Sequence, residues 1–114
     1  MSKELKISTD TRGDVYLISI GGDVTAVTGA AVEKAYHEAC DGKLKKIHLV
    51  FDGENYINSG GIAILIGIVA ESRKKEQTIR MTGLSDHFQK IFKMVGLTKY
   101  AEVFPTDEAA LEGF

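Results

Sequence analysis

The sequence is poor in the residues that punctuate or staple a chain. It holds one proline, Pro105, and one cysteine, Cys40. A lone cysteine forms no internal disulfide, which excludes a disulfide framework and fits a reducing, cytoplasmic setting. No repeat, low-complexity segment or linker interrupts the 114 residues, so residues 1–114 are expected to fold as one domain. Long hydrophobic runs are missing too. The most apolar segment, Ile62 to Ala70, has nine residues and is broken only by Gly67. A bilayer span needs roughly 20, so direct membrane insertion is not expected. The opening MSKELKIST lacks the apolar stretch of a signal peptide. There is no basic excess: 14 Lys and Arg stand against 16 Asp and Glu, a net charge of −2. With no interleaving of aromatic and basic residues either, nucleic acid is not an expected partner. What is present is an ordinary globular balance, 44% apolar and 26% charged. A protein or a small molecule is the expected partner, and a monomer or weak dimer the expected state.

Short patterned segments alternate along the chain. LKIST (5–9) and VYLISI (15–20) read as strands joined by a turn over DTRGD (10–14), with Gly13 free to take a positive φ. Residues 26 to 40 read as an amphipathic helix. Val27, Ala31, Ala35 and Ala39 form its apolar stripe, with Val32, Tyr36 and Cys40 alongside. Glu33, Lys34, Glu38 and an unpaired His37 fall on its other side; Thr25 or Thr28 caps its start and Gly42 stops it. KIHLVF (46–51) is apolar enough for a central strand. DGENYINSG (52–60) is a loop, and a helix follows from about 60 to 75, with Arg73, Lys74 and Lys75 suited to its C-terminus. TIRMT (78–82) alternates as a strand. In 85–97, Phe88, Ile91, Phe92 and Val95 keep helical spacing, Ser85 caps and Gly96 terminates. EVFP (102–105) is a short edge strand, and TDEAALEGF a last helix capped by Thr106. The order ββαβαβαβα predicts an α/β fold: a mixed, mostly parallel sheet opened by an antiparallel hairpin. Function in such sheets gathers in loops at the carboxyl ends of strands, here GGDVT and DGENYINSGG.

No catalytic set emerges. Cys40 and His37 lie three apart, but the cysteine belongs to the apolar stripe and the histidine to the polar edge. His37, His48 and His87 sit on different predicted elements without metal-ligand spacing. GGDVTAVTG follows a strand but lacks both the P-loop lysine and the G-x-G-x-x-G spacing. Asp10, Asp14, Asp23 and Asp52 fall in loops, where aspartates usually serve turns. No enzyme activity, metal or cofactor is expected.

The remaining signal is YINSGGIAILIGIVA (56–70), where a small polar cluster stands at the lip of the most hydrophobic segment. If the helix starts near Gly60, Ser59 is at or near its N-cap, beside unpaired amides at the positive end of the dipole. A phosphate would be welcome there, and Gly60 and Gly61 would keep the approach to it clear. The same residues also read as a plain helix cap and a tight turn. Ile62, Ile66 and Val69 recur at helical spacing and are expected to face the sheet, with Ile64, Leu65 and Ile68 left for a second covered side or an exposed patch.

YINSGGIAIL resembles the signature of STAS domains, the anti-sigma factor antagonists of bacteria. The signature runs aromatic, aliphatic, Asp, Ser, Ser or Thr, Gly, Leu, then an apolar helix. Tyr56-Ile57-Asn58-Ser59-Gly60-Gly61-Ile62 fills it without a gap. ISIGGDVT is similar to the family's second strand and its Gly-Glu-Leu-Asp-like loop, and LSDHFQKIFKMVGLTKYAEVFPTDEAAL to its tail. The resemblance implies a switch. An anti-sigma factor that is also a serine kinase would phosphorylate Ser59; the unmodified protein would bind that kinase, and a serine phosphatase would reset it. Asp23, Thr25, Asn58, Ser59, Gly60 and Gly61 would form the partner-binding surface. Asn58 and Thr25 stand where the family has aspartates, and Gly60 where it has a second hydroxyl. Three functions fit these residues: the phosphorylatable antagonist, a STAS subunit that only scaffolds a transporter or stress-sensing assembly, and a small-ligand or nucleotide module rimmed by GGDVT and NSGG.

Overall fold

The computed structural model describes residues 4–41 and 44–114, with only the backbone of 39–41. Strands β1 (Lys6–Arg12) and β2 (Val15–Gly21) precede helix α1 (Gly29–Asp41) and strand β3 (Lys46–Phe51). Helix α2 (Ser59–Lys74), strand β4 (Thr78–Thr82) and helix α3 (Asp86–Met94) follow. A 3₁₀ turn (Leu97–Lys99), strand β5 (Ala101–Val103) and helix α4 (Asp107–Leu111) complete the chain. The five strands lie in sequence order, with β1 and β2 antiparallel and each later neighbour parallel. This is the α/β sheet that the ββαβαβαβα pattern predicts. The opening hairpin is tighter than expected: β1 runs on to Arg12, opposite Val15, so only Gly13 and Asp14 turn, with Gly13 at φ +61°. A two-residue loop needs such a positive φ to follow the twist of its strands.

Because β side chains alternate, the sheet has two unlike faces. Ile18, Ile20, Ile47, Leu49, Phe51, Ile79 and Met81 point to the front, where they share one core with α1, α2 and α3. Phe92 of α3 meets Phe51 edge-on, with ring centroids 6.3 Å apart. On the back, Val15, Leu17, His48 and Thr82 are buried outside that core, and α4 packs there on β3 and β4. Arg80 holds the end of α4, donating through Nη1 to the carbonyls of Ala110 (2.8 Å) and Glu112 (2.9 Å).

Helices α1 and α2 are rotated from their expected phases, whereas α3 keeps its own. The buried residues described in α1 are Gly29, Val32, Ala35 and Tyr36, while Ala31 is exposed and Val27 lies before the helix at 84% exposure. The helix begins at Gly29 because Thr25 and Thr28 bond each other first: Oγ1 of Thr25 accepts from the Thr28 amide (3.1 Å), and Oγ1 of Thr28 from the Thr25 amide (2.8 Å). This reciprocal pair works like a capping box. Gly42 as a helix stop, and the side chains of Ala39 and Cys40, lie outside the described residues. His37 is not unpaired; its Nε2 lies 2.8 Å from Oε2 of Glu71 on α2. In α3, Phe88 and Phe92 are buried and Ile91 partly so, but Val95 is 46% exposed. There the helix has ended, and Gly96 turns the chain at φ +84°.

The largest rotation is in α2. Its buried residues are Gly61, Leu65, Ile68, Val69 and Ser72, and Ile66 is 42% exposed rather than facing the sheet. Ile64 turns toward α1, where a Cβ on Gly29 would fall 2.5 Å from its Cδ1. The segment is apolar nearly all round, so periodicity alone could not choose the inward face. Gly61 chooses it: the helix backbone presses on the Val24 carbonyl there, and Leu65, Ile68 and Ser72 follow on the same side at 3.6-residue spacing. Leu65→Ala should therefore cost about 2–5 kcal/mol in chemical denaturation. Ile66→Ala should cost under about 1 kcal/mol. Equal shifts in the two midpoints would show the helix to be rotated from this phase.

Candidate functional site

Both candidate loops lie at one end of the sheet, beyond the carboxyl ends of β2 and β3, and their backbones bond directly. The Val24 amide donates to the Tyr56 carbonyl (2.8 Å) and the Asn58 amide to the Val24 carbonyl (3.1 Å), forming a one-residue parallel bridge between Val24 and Ile57. Buried Asn55 reinforces the junction. Its Nδ2 donates to the carbonyls of Gly22 (2.7 Å) and Ile20 (3.1 Å), and its Oδ1 accepts from the Asp52 amide (2.8 Å). Asp52 in turn accepts from the Gly22 amide at 3.1 Å. Sequence reasoning missed Asn55. The available signal was an asparagine in the loop after a central strand, four residues beyond Phe51, where a side-chain amide can satisfy carbonyls that the sheet leaves open.

The bridge determines how α2 begins. Pairing with Val24 holds Asn58 extended (φ −84°, ψ 179°), which is N-cap geometry, and its Oδ1 accepts from the Gly61 amide at 2.9 Å. Asn58, not Ser59, is the cap. Ser59 is the first helical residue and is exposed. Among the described residues its hydroxyl makes no hydrogen bond, and the Ser59 and Gly60 amides have no intramolecular acceptor. A hydroxyl and two open N–H groups thus stand together at the positive end of a 16-residue helix.

The two glycines do not serve to clear the approach to Ser59. A Cβ on Gly60 would lie 2.7 Å from that of Ala26, and one on Gly61 would enter the Val24 carbonyl. Both allow the helix to seat against the 23–26 loop. Thr25 belongs to that loop, one residue from Val24 and from Ala26. Its Oγ1 is engaged by the Thr28 amide and, at 3.2 Å, by the Val27 amide. Asp23 is buried beside it, at 8% exposure. Asn58, Ser59, Gly60, Gly61, Asp23 and Thr25 therefore converge on one junction. Tyr56 projects from it at 59% exposure, edge-on to Phe88. His37 and His87 lie on other elements. Among the described residues no group of three His, Cys, Asp or Glu side chains could hold a metal ion, and no helix is long and apolar enough to cross a membrane.

The comparisons with known proteins agree with this architecture. An anti-sigma-B factor antagonist of Staphylococcus aureus is 22% identical over 93 residues, covering 82% of this chain and 86% of that protein. The crystal structure of an anti-sigma factor antagonist from Mycobacterium paratuberculosis superposes with a TM-score of 0.77 at 21% identity, covering 96% of this chain and 92% of that one. The Bacillus cell fate determinant SpoIIAA, in its phosphorylated form, superposes with a TM-score of 0.66 at 16% identity, covering 96% and 97%. At such identities the structural likeness is one of fold. The family model described as STAS domain matches residues 6–110, nearly the whole sheet with its helices, and the chain belongs to the STAS domain family.

Proposed function

We propose that this chain is an anti-sigma factor antagonist that switches partners by phosphorylation of Ser59. The observation that carries this is the division of labour at the start of α2: Asn58 caps the helix, so the exposed Ser59 hydroxyl is left uncommitted. That hydroxyl can therefore enter a kinase cleft without first giving up a cap, whose loss costs about 1 kcal/mol. The anti-sigma factor, acting as the kinase, would bring ATP, metal and base, so the protein itself performs no chemistry. Its unmodified form binds that kinase in the cytoplasm through Asp23, Thr25, Asn58, Ser59, Gly60 and Gly61, and a serine phosphatase restores it. The names carried by the relatives support the same reading.

Both departures from the family's aspartates keep a cap and remove a charge. Asparagine caps as well as aspartate at 58, and Thr25 closes its own turn through Oγ1. Less negative charge then faces an incoming phosphate. Thr25→Asp tests the coupling of the two loops. Aspartate can keep the bonds to Val27 and Thr28, so the melting temperature should stay within about 2 °C, because surface changes are usually neutral. Phosphorylation of Ser59 should slow several-fold by like-charge repulsion. Unchanged phosphorylation kinetics would mean that the 23–26 loop does not act on the acceptor. The function as a whole is tested by titrating candidate anti-sigma factors from the same genome with unmodified and Ser59-phosphorylated protein.

A further inference from the structure

The back of the sheet carries a polar arrangement that the Ser59 site does not use. His48, on the central strand, is fully buried. Its Nε2 lies 2.8 Å from Oγ1 of Thr82, and the Thr82 hydroxyl donates to Oδ1 of Asp107, the first residue of α4. Since the hydroxyl hydrogen goes to the carboxylate, the Thr82 oxygen accepts from His48, which fixes the neutral tautomer with hydrogen on Nε2. Among the described residues Nδ1 is buried without a partner. Any added proton must go to that atom, where the docked structure offers no acceptor among the described residues and His48 has no contact with solvent.

We propose that residues 106–114 form a proton-released latch, docked over His48 when its ring is neutral and freed from the back of the sheet when the ring takes up a proton. The latch is built for release. Its helix has five residues, and Ala110 is its one buried side chain. Its two ends are held by polar groups, Thr82 with His48 at the start and Arg80 at the finish. Docking keeps water from His48, and undocking gives Nδ1–H a solvent acceptor.

The surrounding charges do not cancel this. Burial is the main effect and holds His48 below its ordinary range; Asp107, 3.7 Å from Nε2, pulls the other way, and Arg12 of β1 adds to the lowering. Arg80 of β4 is paired in register with His48 and brings a second cation to this face. Lys46, two residues before His48, is tied to Asp14 at 2.8 Å, and Asp10 is tied to Arg12 at 3.7 Å. Glu102 of β5 is in register with Arg80, and α4 carries Glu108 in its first turn and Glu112 at its end. A base whose folded-state pKa is lowered binds more protons when released, so docking is at full strength above the ordinary histidine value of about 6.5 and is lost as pH falls below it. Ordinary carboxylates titrate lower, outside a window from pH 7.5 to 5.5.

The test is NMR of the whole ¹⁵N-labelled chain at pH 7.5 and 5.5. Backbone order parameters of residues 107–112 should fall from about 0.85 to below about 0.6, while those of α2 stay near 0.85. The His48 ring should titrate with the same midpoint as the loss. In His48→Gln, whose amide can still donate to Thr82 but takes up no proton, the segment should stay ordered at both values. Order that is independent of pH in the wild type overturns the latch. So does a His48 ring that becomes protonated while the segment remains docked, a measurement that stands even if the variant fails to fold. A pH-dependent loss that persists in a folded His48→Gln assigns the release to another group and overturns it equally.

Discussion

Phosphorylated at Ser59, the protein should bind its anti-sigma factor at least about 100-fold more weakly than the unmodified form, while its circular dichroism spectrum stays the same. The two halves of this expectation have different causes. A phosphate at the first helical position adds about −1.5 to −2 charges. The helix tolerates them, because the Ser59 and Gly60 amides are open and the N-terminus of α2 favours an anion by about 0.3–1 kcal/mol. A fitted partner must strip water from the same charge. Without a matching cation that penalty is several kcal/mol, and about 2.7 kcal/mol already corresponds to 100-fold. Ser59→Ala should bind like the wild type and accept no phosphate, since Asn58 retains the cap. Ser59→Asp should fall between, having one charge and planar geometry. Isothermal titration with the four forms decides the matter. Equal dissociation constants for the modified and unmodified proteins would remove the switch and leave a STAS domain that scaffolds without signalling through Ser59.

Gly61→Ala should be among the most destabilising single-methyl additions in the chain, costing about 3 kcal/mol, at the top of the usual range for overpacking. The new carbon would press on the Val24 carbonyl, which cannot retreat because it accepts the Asn58 amide at 3.1 Å. Separating the two backbones would open the bridge between Val24 and Ile57 and shift the base of Ser59. Gly67→Ala, six residues on, should have the opposite sign. Nothing lies within 4 Å of its would-be Cβ, so a helix-interior glycine is exchanged for the best helix former, a gain of about 0.5–1 kcal/mol. Urea midpoints of the two variants should lie on either side of the wild type. A neutral Gly61→Ala would mean that the loops are not in contact in solution.

The extents of β2, β3, β4 and α2, and the caps Ser85 and Thr106, were legible in the sequence because each rests on local chemistry. Alternation marks a half-buried strand whatever it packs against, and a serine or threonine before a helical run offers its oxygen to an amide three residues on. The candidate site was legible as a set of residues, and the resemblance of YINSGGIAIL to a known signature named it. The role of each member was less legible. By side-chain chemistry alone Asn58 caps as well as Ser59. The choice between them was made by Val24, thirty-four residues upstream, whose carbonyl draws the Asn58 backbone into the extended form.

By itself, then, the sequence determined the order of elements, the α/β class, the family and the place of the candidate loop, since these follow from period, punctuation and motif over short stretches. Tertiary contact decided what period could not. A segment apolar on every side, Ile62 to Ala70, has no preferred inward face until Gly61 meets Val24. Gly60 and Gly61 look like open space in one dimension and are close packing in three. His48 and Asp107 are fifty-nine positions apart and gain a shared hydrogen-bonded neighbour only when α4 closes over the back of the sheet. In each case the deciding interaction joins residues distant in the chain, and its energy exists only after the backbone has brought them together.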